Sequence, residues 1–396
     1  MIRAHSQVAR SGRLAFGGVL VCLLASDLTG CASGDDVIEP PAELVDFDAD
    51  VDVRRIWNTK VGGASERLRL GLMPASDGAS IYAGSWDGRV ESLNAETGRS
   101  QWSVRLEANL TAGPGYGDGR IVFATSNGDL ILLDAGTGEQ IWQVSAGSEV
   151  LAPPVISSDV VVFHTVDGRL RGFDLDSGRE LWSVDQSLPA LTLRGDTAPV
   201  VTGQFVVTGF DNGRVGAYLV DSGEPLWEVP IANSSGRNEL ERLVDIGSGL
   251  AVVGNDVYSA GVNGRVVAID LRTGQVNWQQ EISSFAGLGV DVNHVYVTDE
   301  FGTVVAYDRR RGTPVWRQED LRLRDVTAPA RFRNLLVVGD YEGYLHWLDP
   351  EDGHFRARAR AGSDRITGAP LVLGQTLYVQ SDDGSVAAFA LREPDA

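Results

Sequence analysis

Residues able to make or break bonds are few in this chain, and those that recur do so by position. The five histidines, His5, His164, His294, His346 and His354, stand far apart and show none of the spacings that gather ligands around a metal. No Gly-x-Ser-x-Gly elbow and no phosphate-cradling glycine loop occurs. Asp134, Asp174, Asp270, Asp308 and Asp349 each follow a turn glycine by six residues. Such recurrence predicts a structural duty, bonding the turn that comes next, and not acid–base catalysis. No metal or cofactor is expected. Recognition chemistry is better represented. Leu191 and Leu193 lie beside Arg194, two apolar side chains next to a bidentate donor, the residue types that anchor protein interfaces. Spacing leaves two outcomes open there: an exposed hot spot, or leucines tucked beneath a loop whose backbone Arg194 bonds.

The elements that must position these residues come from a repeat. Gly88, Gly128, Gly168, Gly213, Gly264, Gly302, Gly343 and Gly384 each close one turn, and in the first seven copies another glycine, Gly98 to Gly353, closes a second turn ten residues on. Trp102, Trp142, Trp182, Trp227, Trp278 and Trp316 follow that second glycine by four residues, while the seventh copy has Ala357 there. The first turn is Asp-Gly or Asn-Gly in six of eight copies, the dipeptide of a tight hairpin. Apolar residues two and five positions later, such as Leu130 and Leu133, fall on both faces of one strand, which must then be covered on both sides. A period near 40 residues with four strands per copy predicts an all-β, eight-bladed β-propeller of four-stranded blades. The eighth copy ends without an outer strand, and "RRIWNTKVG" around Trp57 resembles the outer strands of the others. The N-terminal strand is therefore expected to close the ring.

The repeats also mark where function should sit. From a tryptophan to the next first-turn glycine there are 24 to 27 residues in four copies, but 31 after Trp182 and 37 after Trp227. Two adjacent connections are thus enlarged, Ser187–Pro199 and Ile231–Gly249, and both should emerge on the face of the Asn/Asp-Gly turns. Long loops on a rigid scaffold are the usual seat of binding.

Ahead of the repeats, Arg3, Arg10 and Arg13 precede a short apolar run, Leu14–Ala25, too short for a comfortable membrane span. It ends in Leu28-Thr29-Gly30-Cys31, which resembles the bacterial lipobox; that resemblance implies acylation of Cys31 and removal of what precedes it. Several acyl chains anchor stably where one is marginal. Ala32 at the next position implies sorting to the outer membrane. The expected organisation is residues 1–30 as a lipoprotein signal, 31–53 as a lipidated cysteine and acidic tether, and 54–396 as the propeller. Ala32–Val53 has eight acidic residues and no basic ones, and is read as a solvated tether. The net charge of −20 argues against a nucleic-acid partner. A local exception runs from Arg309-Arg310-Arg311 through Arg322, Arg324, Arg331, Arg333, Arg356, Arg358 and Arg360. It reads either as a surface for an acidic partner or as a solvated edge of alternating charge.

Taken together, the lipobox, the acidic tether, the "IWNTKVG" strand and the eight copies resemble the BamB family, lipoproteins of the β-barrel assembly machinery of Gram-negative outer membranes. "LTLRGDTAP" is close to the family's Leu-Ser-Leu-Arg-Gly segment. The resemblance implies a non-enzymatic scaffold, lipid-anchored in the outer membrane and facing the periplasm, that promotes folding and insertion of outer-membrane proteins. It implies that Leu191, Leu193 and Arg194 contact the POTRA domains of BamA. Asp245 in "RLVDIG" matches the first aspartate of the family's Asp-x-Asp contact, and Gly247 replaces the second. Contact with unfolded outer-membrane proteins by strand addition at blade edges stays open. Two other readings of the same repeats are a quinoprotein dehydrogenase and a propeller binding a ligand in its channel. The first usually carries large insertions, a calcium site and a vicinal disulfide, whereas this chain has only Cys22 and Cys31.

Overall fold

The computed structural model describes residues 39–63, 70–189, 192, 197–232 and 245–392. These form eight antiparallel sheets arranged as the blades of a propeller. Blade 2 is representative: Leu110–Gly117, Arg120–Thr125, Asp129–Asp134 and Gln140–Ser145 run from the inner to the outer position. Gly71–Leu72 adds a short parallel fifth strand to its inner edge. In the last blade Leu371–Leu373, Thr376–Gln380 and Ser385–Leu391 are completed by Val53–Lys60, which pairs from Val53↔Leu391 to Lys60↔Ser385. The ring is closed by its N-terminal strand, as the missing outer strand of the eighth copy required.

Burial follows the pattern in the sequence. Leu130, Ile131, Leu132 and Leu133 are all buried, so this strand faces a neighbouring blade on each side, while the outer strand Gln140–Ser145 alternates. Core clusters span blade pairs: Leu130, Leu132 and Trp142 of blade 2 pack with Val161, Phe163 and Phe173 of blade 3.

The tryptophans work between blades. Trp102 Nε1 donates to the carbonyl of Ala135 in the next blade at 2.9 Å, and Trp57, Trp142, Trp182, Trp227, Trp278 and Trp316 make the equivalent bond. Each second-turn glycine covers the indole of the blade before it. At Gly138 (φ 76°) a Cβ would stand 2.7 Å from the Trp102 ring, so both conformation and space demand glycine. Every outer strand shifts register just before the tryptophan position, a bulge that turns the indole toward its neighbour. The recurrent aspartates act as expected: Asp134 Oδ1 accepts from the Gly136 and Thr137 amides, and Asp174, Asp270, Asp308 and Asp349 do likewise in their own turns.

One seam differs. Between blades 7 and 8 the bridging indole of the outer strand is missing, because position 357 is alanine. Val51, Val53 and Leu391 pack there against the cluster holding Trp347 and Phe389. The chain ahead of the closing strand is thus part of the ring. Residues 40–52, expected to be solvated tether, lie against blade 7: Ala42, Leu44, Val45 and Phe47 are half-buried while Glu43, Asp46 and Asp48 point outward. Phe47 stacks on Phe355 at 5.3 Å, and Arg358 lies 5.0 Å over the Phe47 ring. The apolar residues hidden in an acidic stretch are what seat it.

Candidate functional site

The face of the first-turn glycines carries the connections between blades. Leu106 N, just past the outer strand of blade 1, bonds Gly88 O, and Ile231 N bonds Gly213 O in the same way in blade 4. The two enlarged connections therefore spring from this face, side by side, from blade 3 to 4 and from blade 4 to 5.

Their stalks are tied together. Gln186, at the start of the first connection, donates through Nε2 to Glu228 Oε1 at 2.6 Å and to Tyr218 OH at 3.2 Å. Its Oε1 accepts from Asn212 Nδ2 at 3.1 Å. Glu228, on the outer strand Pro225–Pro230 that leads into the second connection, also accepts from Tyr218 OH at 2.8 Å and from Arg214 Nε at 3.1 Å. A part-buried network of this kind fixes geometry because each member satisfies another. Burial, with the Glu228 hydrogen bond, holds the Tyr218 hydroxyl well above the usual phenol range, so it remains a donor. The second connection re-enters the ring at Ile246, which is buried against Gly209 and belongs to the blade 4–5 core.

Leu191, Leu193 and Arg194 lie outside the described residues, as does Cys31. Asp245 opens the strand Asp245–Val253, paired with Val262, and the register shifts between Asp245 and Gly249, the stretch containing Gly247. Backbone placement thus puts Asp245 where the second enlarged connection meets the ring.

Two buried titratable groups flank Phe210. His164 meets the Phe210 ring edge-on at 5.4 Å, and burial pushes its imidazole down to about 4. Asp211 is 3% exposed, its Oδ2 has no hydrogen-bond partner among the described residues, and burial raises its carboxyl to about 6. Nothing in the repeat distinguishes Asp211 from an ordinary turn aspartate, since burial there comes from tertiary packing. A carboxyl whose pKa is raised on folding costs stability above that pKa and costs nothing below the unfolded value. The penalty therefore grows from about pH 4 to pH 6, and reaches about 3 kcal/mol for a shift of this size. Asp211→Asn should raise the melting temperature at pH 7.5 and lose that advantage by pH 4.5. An equal difference from wild type at both pH values would refute the unpaired-carboxylate account.

His346 has a structural role. His346 is fully buried, donates through Nε2 to Asp340 at 3.0 Å, accepts at Nδ1 from Arg358 Nε, and is held neutral by burial. Among the described residues no group of three or more potential ligands could hold a metal. A cleft of about 360 Å³ lined by Tyr258, Trp278 and Arg309 opens on the opposite face, where Arg309 is already bonded to the Tyr258 hydroxyl at 2.9 Å. The arrangement ties the stalks of the two enlarged connections to one another on one face.

Comparison with known proteins bears on this arrangement. The family model described as outer membrane protein assembly factor BamB matches residues 86–318 and 300–393. Outer membrane protein assembly factor BamB of Pseudomonas aeruginosa is 42% identical over 369 residues, 93% of this chain and 97% of the relative. The crystal structure of BamB from Moraxella catarrhalis superposes with a TM-score of 0.78 at 29% identity, covering 85% of this chain and 99% of that one. The quinohemoprotein alcohol dehydrogenase of Comamonas testosteroni shares the propeller, with a TM-score of 0.66 over 87% of this chain and 78% of its own, but at 14% identity the likeness is one of fold alone. With the match running through nearly the whole ring, the chain belongs to the family of outer membrane protein assembly factor BamB.

Proposed function

We propose that this protein is a non-enzymatic subunit of the outer-membrane β-barrel assembly complex. It is anchored in the outer membrane through acylated Cys31 after removal of residues 1–30, and it faces the periplasm. Its partner is a BamA-like barrel protein, whose POTRA domains it binds through Leu191, Leu193 and Arg194 in the first enlarged connection and Asp245 at the end of the second. It promotes folding and insertion of outer-membrane proteins by holding the complex together. The observation that carries this reading is the pair of enlarged connections on one face, their stalks locked by the Gln186–Asn212–Tyr218–Glu228 network, in a chain that belongs to the BamB family. The network gives preorganisation: loops fixed at the stalk lose less entropy on binding.

Affinity capture of the tagged, lipidated chain from detergent-solubilised envelopes should recover the barrel-assembly protein as its main partner. Recovery of no barrel protein would remove the functional reading. A chain that partitions to the aqueous phase after processing would remove the anchor.

A further inference from the structure

The acidic segment and the basic sector, read from the sequence as two separate features, meet in the structure. Ala42 N donates to Arg322 O at 2.9 Å, and Arg324 Nη1 donates to Ala42 O at 2.9 Å. Arg324 is itself buried, paired with Asp340 at 2.8 Å and with Glu342. Further on, Arg358 Nη1 donates to Val45 O at 3.1 Å, Phe47 stacks on Phe355, and Arg356 Nε meets Asp50 Oδ1 at 2.7 Å. The amides of Asp50 and Val51 donate to Arg356 O, and Asp52 pairs with Arg392 at 2.8 Å. Arg356 and Ala357 stand at the bulge-and-tryptophan position of blade 7, so this blade departs from the repeat at the place where the segment lies.

The direction of the segment matters. Arg322 and Arg324 sit in the connection from blade 6 to blade 7, tied to the first-turn face by Leu323 N to Phe301 O and Tyr341 N to Arg324 O. Asp50 and Asp52 lie at the opposite end of the blade. The segment therefore crosses the full height of blade 7 and leaves the ring, at Ala42, on the face that bears the enlarged connections. Cys31 and Ala42 are eleven positions apart, a reach of at most about 40 Å, against about 75 Å if the chain were free as far as Val53.

We propose that residues 42–52 are a strap, docked on blade 7 by the basic sector, that makes the membrane tether leave from the first-turn face and so holds that face toward the bilayer. The proposal rests on Cys31 being the acylated residue. The strap shortens the tether by about half and sets its point of exit three blades around from the first enlarged connection. It also gives the basic sector an occupant within the chain: Arg324, Arg356 and Arg358 are engaged by the strap and by their own blade. Arg309 and Arg331 pair with the carboxylates of Asp256 and Asp291.

The test uses the lipidated chain in vesicles doped with spin-labelled lipid headgroups. Acylated Cys31 leaves no free thiol, so a dye is placed through Asp364→Cys on the first-turn face or Glu351→Cys on the opposite face, both exposed positions. The first dye should be quenched about two-fold or more above the second, and the bias should vanish in Phe47→Ala/Asp50→Ala, which leaves the ring core intact. Equal quenching, or a bias that survives the strap substitutions, overturns the proposal. Flotation with the vesicles is scored first, and a chain that does not float counts against the anchor instead. The strap is then judged by amide exchange at Asp50 and Val51: slow in wild type and fast in the variant supports docking, and fast in both overturns it.

Discussion

Removing Arg54–Val61 is expected to open the ring, lowering the melting temperature by roughly 10 °C or more and turning one cooperative transition into a broad one. The segment supplies all of the outer strand of blade 8 but Val53, paired with Ser385–Leu391 across more than 320 residues of sequence. It also supplies Trp57, 9% exposed, whose Nε1 bonds Ala95 O of blade 1 at 2.9 Å, and the fully buried Val61. Without it the blade 8–blade 1 seam loses its indole and Ser385–Leu391 becomes an unprotected edge. The single substitution Trp57→Ala should cost about 3–5 kcal/mol, as large-to-small changes in cores do. A ring of this size loses roughly 1–2 °C for each kcal/mol, so about 5 °C is expected from that change alone. Trp142→Ala, chemically the same but inside the ring, should cost a similar amount and leave the transition sharp. If the deletion melts like wild type, the N-terminal strand does not close the ring.

The ring was legible in the sequence because its determinants are local. A second-turn glycine such as Gly138 is needed both for its positive φ and for the indole pressed against it, and each requirement leaves a residue type at a fixed offset. The closing strand was legible because Trp57 carries the same signature. What fills the seam at Ala357 was not, since Val51 and Val53 lie some 300 residues away and carry no motif. The strap was hidden for a related reason: composition over Ala32–Val53 is dominated by acid, yet Leu44, Val45 and Phe47 decide where the segment sits. At the candidate site, loop lengths marked the two enlarged connections. The Gln186–Asn212–Tyr218–Glu228 network that ties their stalks draws on three separated segments, and no spacing rule connects them. Asp211 shows the same limit, because its type is that of any turn and its raised pKa comes from burial.

The second large effect is expected at the first enlarged connection. Leu191→Ala/Leu193→Ala/Arg194→Ala removes two apolar anchors and a bidentate donor, and truncations of central interface residues of these types cost about 2 kcal/mol or more each. Such losses are not additive, so a combined weakening of at least about 100-fold is the appropriate expectation. The ring's melting temperature should not move, since the stalk network of Gln186, Asn212, Tyr218 and Glu228 includes none of these residues. On the proposed reading, Asp245→Ala should weaken binding by a smaller factor, because Gly247 offers no second carboxylate two residues on. The decisive measurement is a direct titration of the mature chain with the purified POTRA domains of the barrel-assembly partner, wild type against the triple variant, with melting curves for both. The account predicts saturable binding by wild type, a loss of about 100-fold or more in the variant, and coincident melting curves. Equal affinity of the two chains would contradict it.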